Sequence, residues 1–250
     1  MPVAIGVFIA YVLVFQGLTL VAGTSFDERF SSGSNAFRGA VIPLLGAGLV
    51  LILFLLWARW DFVFKDPERL PMRPVLWVPV VLYTLAIVVQ FAVADWSKAS
   101  DRLLAVVAAG LLVGYTEETL FRGIILRSLR TNARPEAWAM LITTVWFGLF
   151  HLLSVFGGLD IVSTLTQCFL AATSGVAYYL FRRTRGLLIL AMLAHGLWDL
   201  SLFLPAPSGA MINADRIALI IVVTSAVVAA IAMLMRDRSL AVTRSGVQTV

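Results

Sequence analysis

The chain contains eight runs of about 20 mostly apolar residues, and this repetition constrains the fold more than any other feature. They are Val3–Val21, Ala40–Trp57, Val75–Ala94, Leu103–Leu126, Ala137–Val155, Ile161–Phe181, Leu187–Leu204 and Ile217–Met235. At ~1.5 Å rise per residue, a helix of ~20 residues covers the ~30 Å hydrocarbon core of a bilayer. In that solvent every backbone N–H and C=O has to be satisfied within the structure, and a run of this length does so as a helix. The expected fold is all-α: a polytopic membrane protein of eight transmembrane helices, with its active site in the bundle core. Residues 1–235 read as a single transmembrane domain, 103–204 as its motif-bearing core and 236–250 as a polar, frayed cytoplasmic tail.

Composition narrows the class further. Hydrophobic residues make up 60% of the chain and charged residues 13%, against roughly 45–50% and about 25% in a soluble domain. Disordered chains and ordinary cytosolic enzymes are excluded. The one cysteine, Cys168, excludes an internal disulfide and a cysteine metal cluster. A net charge of +5 suggests nucleic acid at first, but the cations sit in short loops and form no basic groove with interleaved aromatics, so no nucleic-acid partner is expected. Trp57, Trp60, Trp77, Trp96 and Trp138 fall near span ends, as an interfacial belt would.

Lys and Arg stay on the cytoplasmic side of short loops. The loops after spans two, four and six, with the tail, hold 13 of the 19 cations, against five in the alternate loops. They include Arg59, Lys65, Arg69 and Arg73, then Arg127, Arg130 and Arg134, then Arg182, Arg183 and Arg185. The expected placement is an integral membrane protein with both termini in the cytoplasm. Arg supplies 17 of the 19 cations, which points to a prokaryotic plasma membrane.

Ionisable residues at the bilayer centre cost at least ~2.5–3.5 kcal/mol each and persist where something uses them. Six lie inside the apolar runs: Glu117, Glu118 and Arg122, then His151, then His195 and Asp199. Both histidines of the chain are among them. Glu118 and Arg122 share a helix face and can pair. Glu117 is rotated about 100° from Glu118, so one carboxylate can neutralise the arginine while the other faces a cavity. His195 and Asp199 also share a face, where Asp199 is placed to orient the imidazole.

Four uses of this set stay open on the residues alone. Glu117 can act as general base on a water held with His151, while His195 stabilises an oxyanion, which amounts to amide hydrolysis within the membrane. Glu117, His151 and His195 can instead ligate a divalent metal such as zinc, although no HExxH helix is present. A proton relay for transport is a third use, weakened by the lack of an internal repeat. The fourth is a scaffold whose polar residues only join helices. Tyr115, Thr116, Trp146, Gln167 and Trp198 are either cavity lining or ordinary packing, and Phe147 reads as packing.

Three motifs carry a family resemblance. Glu117-Glu118-Thr119-Leu120-Phe121-Arg122 is similar to the EExxxR motif of the type II CAAX prenyl endopeptidase and Abi (bacteriocin-processing) family. Phe147-Gly148-Leu149-Phe150-His151 resembles its FxxxH motif, and His195-Gly196-Leu197-Trp198-Asp199 its HxxxN or HxxxD motif. They occur in the family's order on three separate spans. The resemblance implies an eight-helix intramembrane protease in which Glu117 and His151 activate water. It implies that His195 and residue 199 form the oxyanion side, with Glu118 and Arg122 in support. The implied partners are the lipid bilayer and a peptide or protein substrate entering from the membrane or the cytoplasmic side. One position departs: the branch acting on prenylated proteins carries Asn where this chain has Asp199. An ionised carboxylate cannot donate to an oxyanion, so Asp199 is expected to be protonated, to orient His195 or to bind metal.

Overall fold

A computed structural model describes residues 1–66, 73–130, 135–204 and 210–247 of the chain, so Arg69 and Arg134 lie outside the described residues. It consists of apolar helices, in keeping with the all-α polytopic fold. We number them α1 (Pro2–Ala22), α2 (Gly33–Ala58), α3 (Pro74–Val93), α4 (Leu103–Arg130), α5 (Glu136–Phe150), α6 (Ile161–Arg185), α7 (Leu188–Phe203) and α8 (Ala210–Val247). Among the described residues, seven segments are long and apolar enough to cross a membrane. The helix of the seventh predicted span, α7, has 16 residues, which is ~24 Å and shorter than the ~30 Å core.

The outer surface is aliphatic where α2 turns away from its neighbours, at Leu45, Leu49, Leu53 and Leu56. Such an array is unfavourable in water and favourable against lipid, so the chain is an integral membrane protein. Trp57, Trp77, Trp96 and Trp138 are exposed as the interfacial reading expects. Trp60 instead packs edge-on against Phe54 at 5.2 Å.

Four span boundaries differ most from expectation: α2 begins at Gly33 instead of Ala40, α8 begins at Ala210 instead of Ile217, and two helices end elsewhere. The helix of the fifth span ends at Phe150, and His151 opens a 3-10 turn, His151–Gly157, closed by Gly158 at φ 90°. The last helix continues to Val247, through what reads as a frayed tail. Arg236–Ser245 contains no proline or glycine, so nothing in the sequence stops it there.

One end of the bundle is tied by ions. Asp66 accepts hydrogen bonds from Arg127 (3.4 Å), Arg183 (2.8 Å) and Arg130. Glu136 accepts from Arg130 (3.1 Å), Arg183 (2.9 Å) and Tyr179. Arg182 donates to the carbonyls of Val63 (2.9 Å) and Gly186. Backbone bonds Asp66 N–H to Gly186 O (2.7 Å) and Leu188 N–H to Phe64 O (3.0 Å) clip the α2–α3 loop onto the α6–α7 turn. Gly186 makes that turn at φ 70°, where a Cβ would lie 2.4 Å from the Asp66 carbonyl oxygen. The basic loops after helices α2, α4 and α6 thus meet at one end of the bundle, as alternating spans require.

Helices α4 and α7 pack backbone to backbone. A Cβ on Gly114 would lie 2.2 Å from the Met192 carbonyl oxygen, and one on Gly110 2.9 Å from that of Gly196. Hydrophobic burial does not drive helices together in lipid, so close approach through small residues supplies contact and dispersion energy in its place. Gly114→Ala is expected to cost about 1–3 kcal/mol through overpacking, read as a lowered thermal unfolding midpoint in detergent. Gly17→Ala, with nothing within 4 Å of the added methyl, is expected to cost nothing. Equal behaviour of the two variants would contradict the close-approach account.

Candidate active site

The glycine stripe leads directly to the charged residues. Gly110, Gly114, Glu118 and Arg122 recur every fourth residue on α4. The glycines hold the α7 backbone close, and one turn further the Glu118 carboxylate meets His195. Glu118 Oε1 accepts a hydrogen bond from Arg122 Nη1 at 2.7 Å and another from His195 Nδ1–H at 2.9 Å. A carboxylate oxygen that already accepts from a guanidinium is an acceptor, which assigns the Nδ1 proton to the imidazole. The partner that orients His195 is therefore Glu118, not Asp199, whose Oδ1 is 3.7 Å from Nε2.

Arg122 is wholly enclosed. Its second nitrogen donates to the Gly175 carbonyl at 2.9 Å, and its guanidinium carbon lies 4.4 Å from the Phe147 ring centroid and 5.3 Å from that of Tyr178. A Cβ at residue 175 would sit 2.7 Å from that nitrogen, so glycine both makes room for the guanidinium and offers it a carbonyl. The segment around Arg122, Thr119–Ile125, is a π-helical turn. Such wide turns are frequent at functional sites.

His195 lies flat on Tyr178, with ring centroids 4.4 Å apart, and edge-on to Phe147 at 5.4 Å. Tyr178 is fixed in turn by a 2.6 Å hydrogen bond between its hydroxyl and that of Tyr83. With Nδ1 committed to Glu118, Nε2 faces Asp199 and Glu117, whose Oε2 is 4.0 Å away. Glu117 is buried, and Oε2 has no hydrogen-bond partner. His151 has its Nδ1 3.0 Å from the Phe147 carbonyl oxygen, a bond that leaves Nε2 as the ring's free acceptor.

These groups face open space. Glu117, His151 and Asp199 line a recess of about 130 Å³ with Gln16 and Gln167. His151, His195 and Asp199 line an adjoining cavity of about 690 Å³ with Tyr178 and Trp198. Glu118 and Arg122 line neither, so the two neighbouring glutamates face different surroundings. Phe26, Arg29, Phe30, Leu159 and Leu202 line the cavity from the end of the bundle opposite the Asp66 cluster. Among the described residues, no group of three His, Cys, Asp or Glu side chains is placed to hold a metal ion. Glu117, His151 and His195, the expected ligand set, do not form such a group.

Of the residues with two readings, Gln167 and Trp198 line the cavity. Thr116 is buried and accepts a hydrogen bond from Tyr11 at 3.1 Å, while Tyr115 and Trp146 pack against the core. Residue patterns alone missed Tyr83, Tyr178 and Gly175. They also missed the Gly110–Gly114 stripe, although its four-residue period ending on Glu118 was a readable signal.

Residues 99–201 match the family model described as Type II CAAX prenyl endopeptidase Rce1-like, which spans all three motifs. No curated protein and no solved structure matches the chain.

The geometry separates the two glutamates energetically. Glu118→Ala leaves Arg122 as an uncompensated buried charge and is expected to cost about 3–5 kcal/mol. Glu117→Gln removes no existing hydrogen bond at Oε2 and is expected to stay within about 1 kcal/mol. Thermal unfolding of both variants in the same detergent checks this, and equal losses would contradict the assignment.

Proposed function

We propose that this chain, whose motif-bearing segment belongs to the type II CAAX prenyl endopeptidase family, is an intramembrane endopeptidase with Glu117 as general base. The observation that carries the reading is the free Glu117 Oε2, buried and facing His195 Nε2 across 4.0 Å at the edge of a cavity. A carboxylate oxygen without a hydrogen bond is an acceptor open to a proton, and the recess beside it has room for water.

In the proposed reaction, a water in the recess donates one proton to Glu117 and is held by His151 Nε2. Its oxygen attacks the scissile carbonyl, and the C=O π pair moves onto the carbonyl oxygen. His195 acts as imidazolium: Nδ1–H stays on Glu118 and Nε2–H donates to the oxyanion. Asp199, 3.7 Å from Nε2, supports that charge as an anion and does not donate. Collapse of the tetrahedral intermediate breaks the C–N bond, and Glu117 returns its proton to the leaving amine. Glu118 and Arg122 act through His195: they fix its tautomer and its place. Substituting a general base of this kind lowers turnover roughly 10²–10⁴-fold.

The ion-tied end of the bundle holds the basic loops, and we take it as the cytoplasmic end. The cavity then opens away from the cytoplasm, so a peptide reaches it from the bilayer or from the opposite face. Cytoplasmic entry, the other expectation, does not fit that orientation. In a Cys168→Ser background, Ser25→Cys is expected to react with a membrane-impermeant maleimide in intact cells and Lys65→Cys only after lysis. The reverse pattern would invert the orientation.

Proteolysis itself is tested by comparing peptide termini in cells carrying the wild type and Glu117→Gln at equal abundance. New termini confined to the wild type are expected. Identical termini would overturn the protease reading and leave the scaffold as the function.

A further inference from the structure

The cavity carries one cation that the reaction does not use. Arg29, in the loop between α1 and α2, lines both the recess that holds Glu117 and the larger cavity that holds His195. Among the described residues it is the only Lys or Arg in either lining. Its guanidinium carbon lies 5.1 Å from the Phe26 ring centroid, and its Nε is sealed from solvent with no hydrogen-bond partner.

The surroundings hold this side chain in place. Phe26 N–H donates to the Gly157 carbonyl at 2.8 Å, which pins the loop on the turn after His151. A Cβ on Gly157 would lie 3.4 Å from Arg29 Nη2, and one on Gly39 3.3 Å from Arg29 Cγ. Burial pushes the guanidinium down from its ordinary value, as expected for a cation that no carboxylate offsets. Deeper in the cavity the charges are of the other sign, at Glu117 and Asp199. Most of the remaining wall is apolar or neutral, with Leu170, Trp198 and Leu202 in it.

We propose that Arg29 is a specificity residue that receives a carboxylate of the peptide substrate at the cavity mouth. An anion cannot settle between Glu117 and Asp199, and Arg29 offers the fork of donors that a carboxylate matches. The substrate class is therefore an apolar peptide segment carrying one carboxylate, either its own C-terminus or an acidic side chain. This rests on the endopeptidase reading for the direction in which the peptide lies. Arg29 lies outside residues 99–201, the segment matched to the family model.

The test is equilibrium binding to the full chain in zwitterionic nanodiscs, with Glu117→Gln present throughout to prevent turnover. The probes are one dansylated leucine–alanine octapeptide in three forms: the free acid, the C-terminal amide, and the amide with one internal glutamate. At least one carboxylate form is expected to bind roughly tenfold tighter than the plain amide. Arg29→Gln should remove that preference without changing binding of the amide, and Arg29→Lys should keep part of it. Preference for the free acid assigns a terminal carboxylate, and preference for the glutamyl amide assigns a side chain. Equal binding of all three probes, binding of none, or a preference that survives Arg29→Gln would overturn the proposal. Turnover plays no part in this readout, so absence of proteolysis would leave a positive result standing.

Discussion

A single carboxylate oxygen inside the membrane holds the site together. Glu118 Oε1 accepts from a guanidinium on its own helix and from an imidazole on another. The burial of Arg122 makes this arrangement hard to give up, because an unpaired cation in that place is far more costly than a paired one. The Gly175 carbonyl and the Phe147 and Tyr178 rings complete its surroundings. His195 is thereby fixed on one nitrogen, and the direction of the other follows. Glu117 needs no partner of its own in this scheme and is left facing the recess.

That bond depends on how near α4 and α7 lie. Glycines at 110, 114 and 196 allow backbone contact that any side chain would prevent. The last helical turn before Glu118 therefore works as a spacer as much as a span. At the far end of the bundle, Asp66 and Glu136 gather arginines from two helices, α4 and α6, and the α2–α3 loop clips the turn from which α7 begins. The short α7 is thus held from its start at the ion cluster to its middle at Glu118. Rigid placement of this kind is what a catalytic group needs, since small misplacements cost large factors in rate.

Much of this was legible in the residues. Long apolar runs leave few alternatives to helices in lipid, so the elements were readable to within a few residues at most ends. Charges in the wrong solvent marked Glu117, Glu118, Arg122, His151, His195 and Asp199, which lie together or face one cavity. Other features depend on distances between helices, which spacing along one helix does not encode. Spacing paired His195 with Asp199, four residues away, whereas the shorter contact is to Glu118, 77 residues away. No motif marks Asp66, on which three arginines from distant positions converge. The end of α5 at Phe150 was hidden because apolar residues continue through the 3-10 turn.

The account turns on the proton at His195 Nδ1. The chain has two histidines, so selective ¹⁵N-histidine labelling gives a spectrum of two rings, assigned by His151→Gln. The account predicts a protonated Nδ1 on His195 in the wild type, lost or exchanging in Glu118→Ala and retained in Glu117→Gln. A neutral His195 with its proton on Nε2 and a bare Nδ1, or a spectrum indifferent to Glu118, would contradict it.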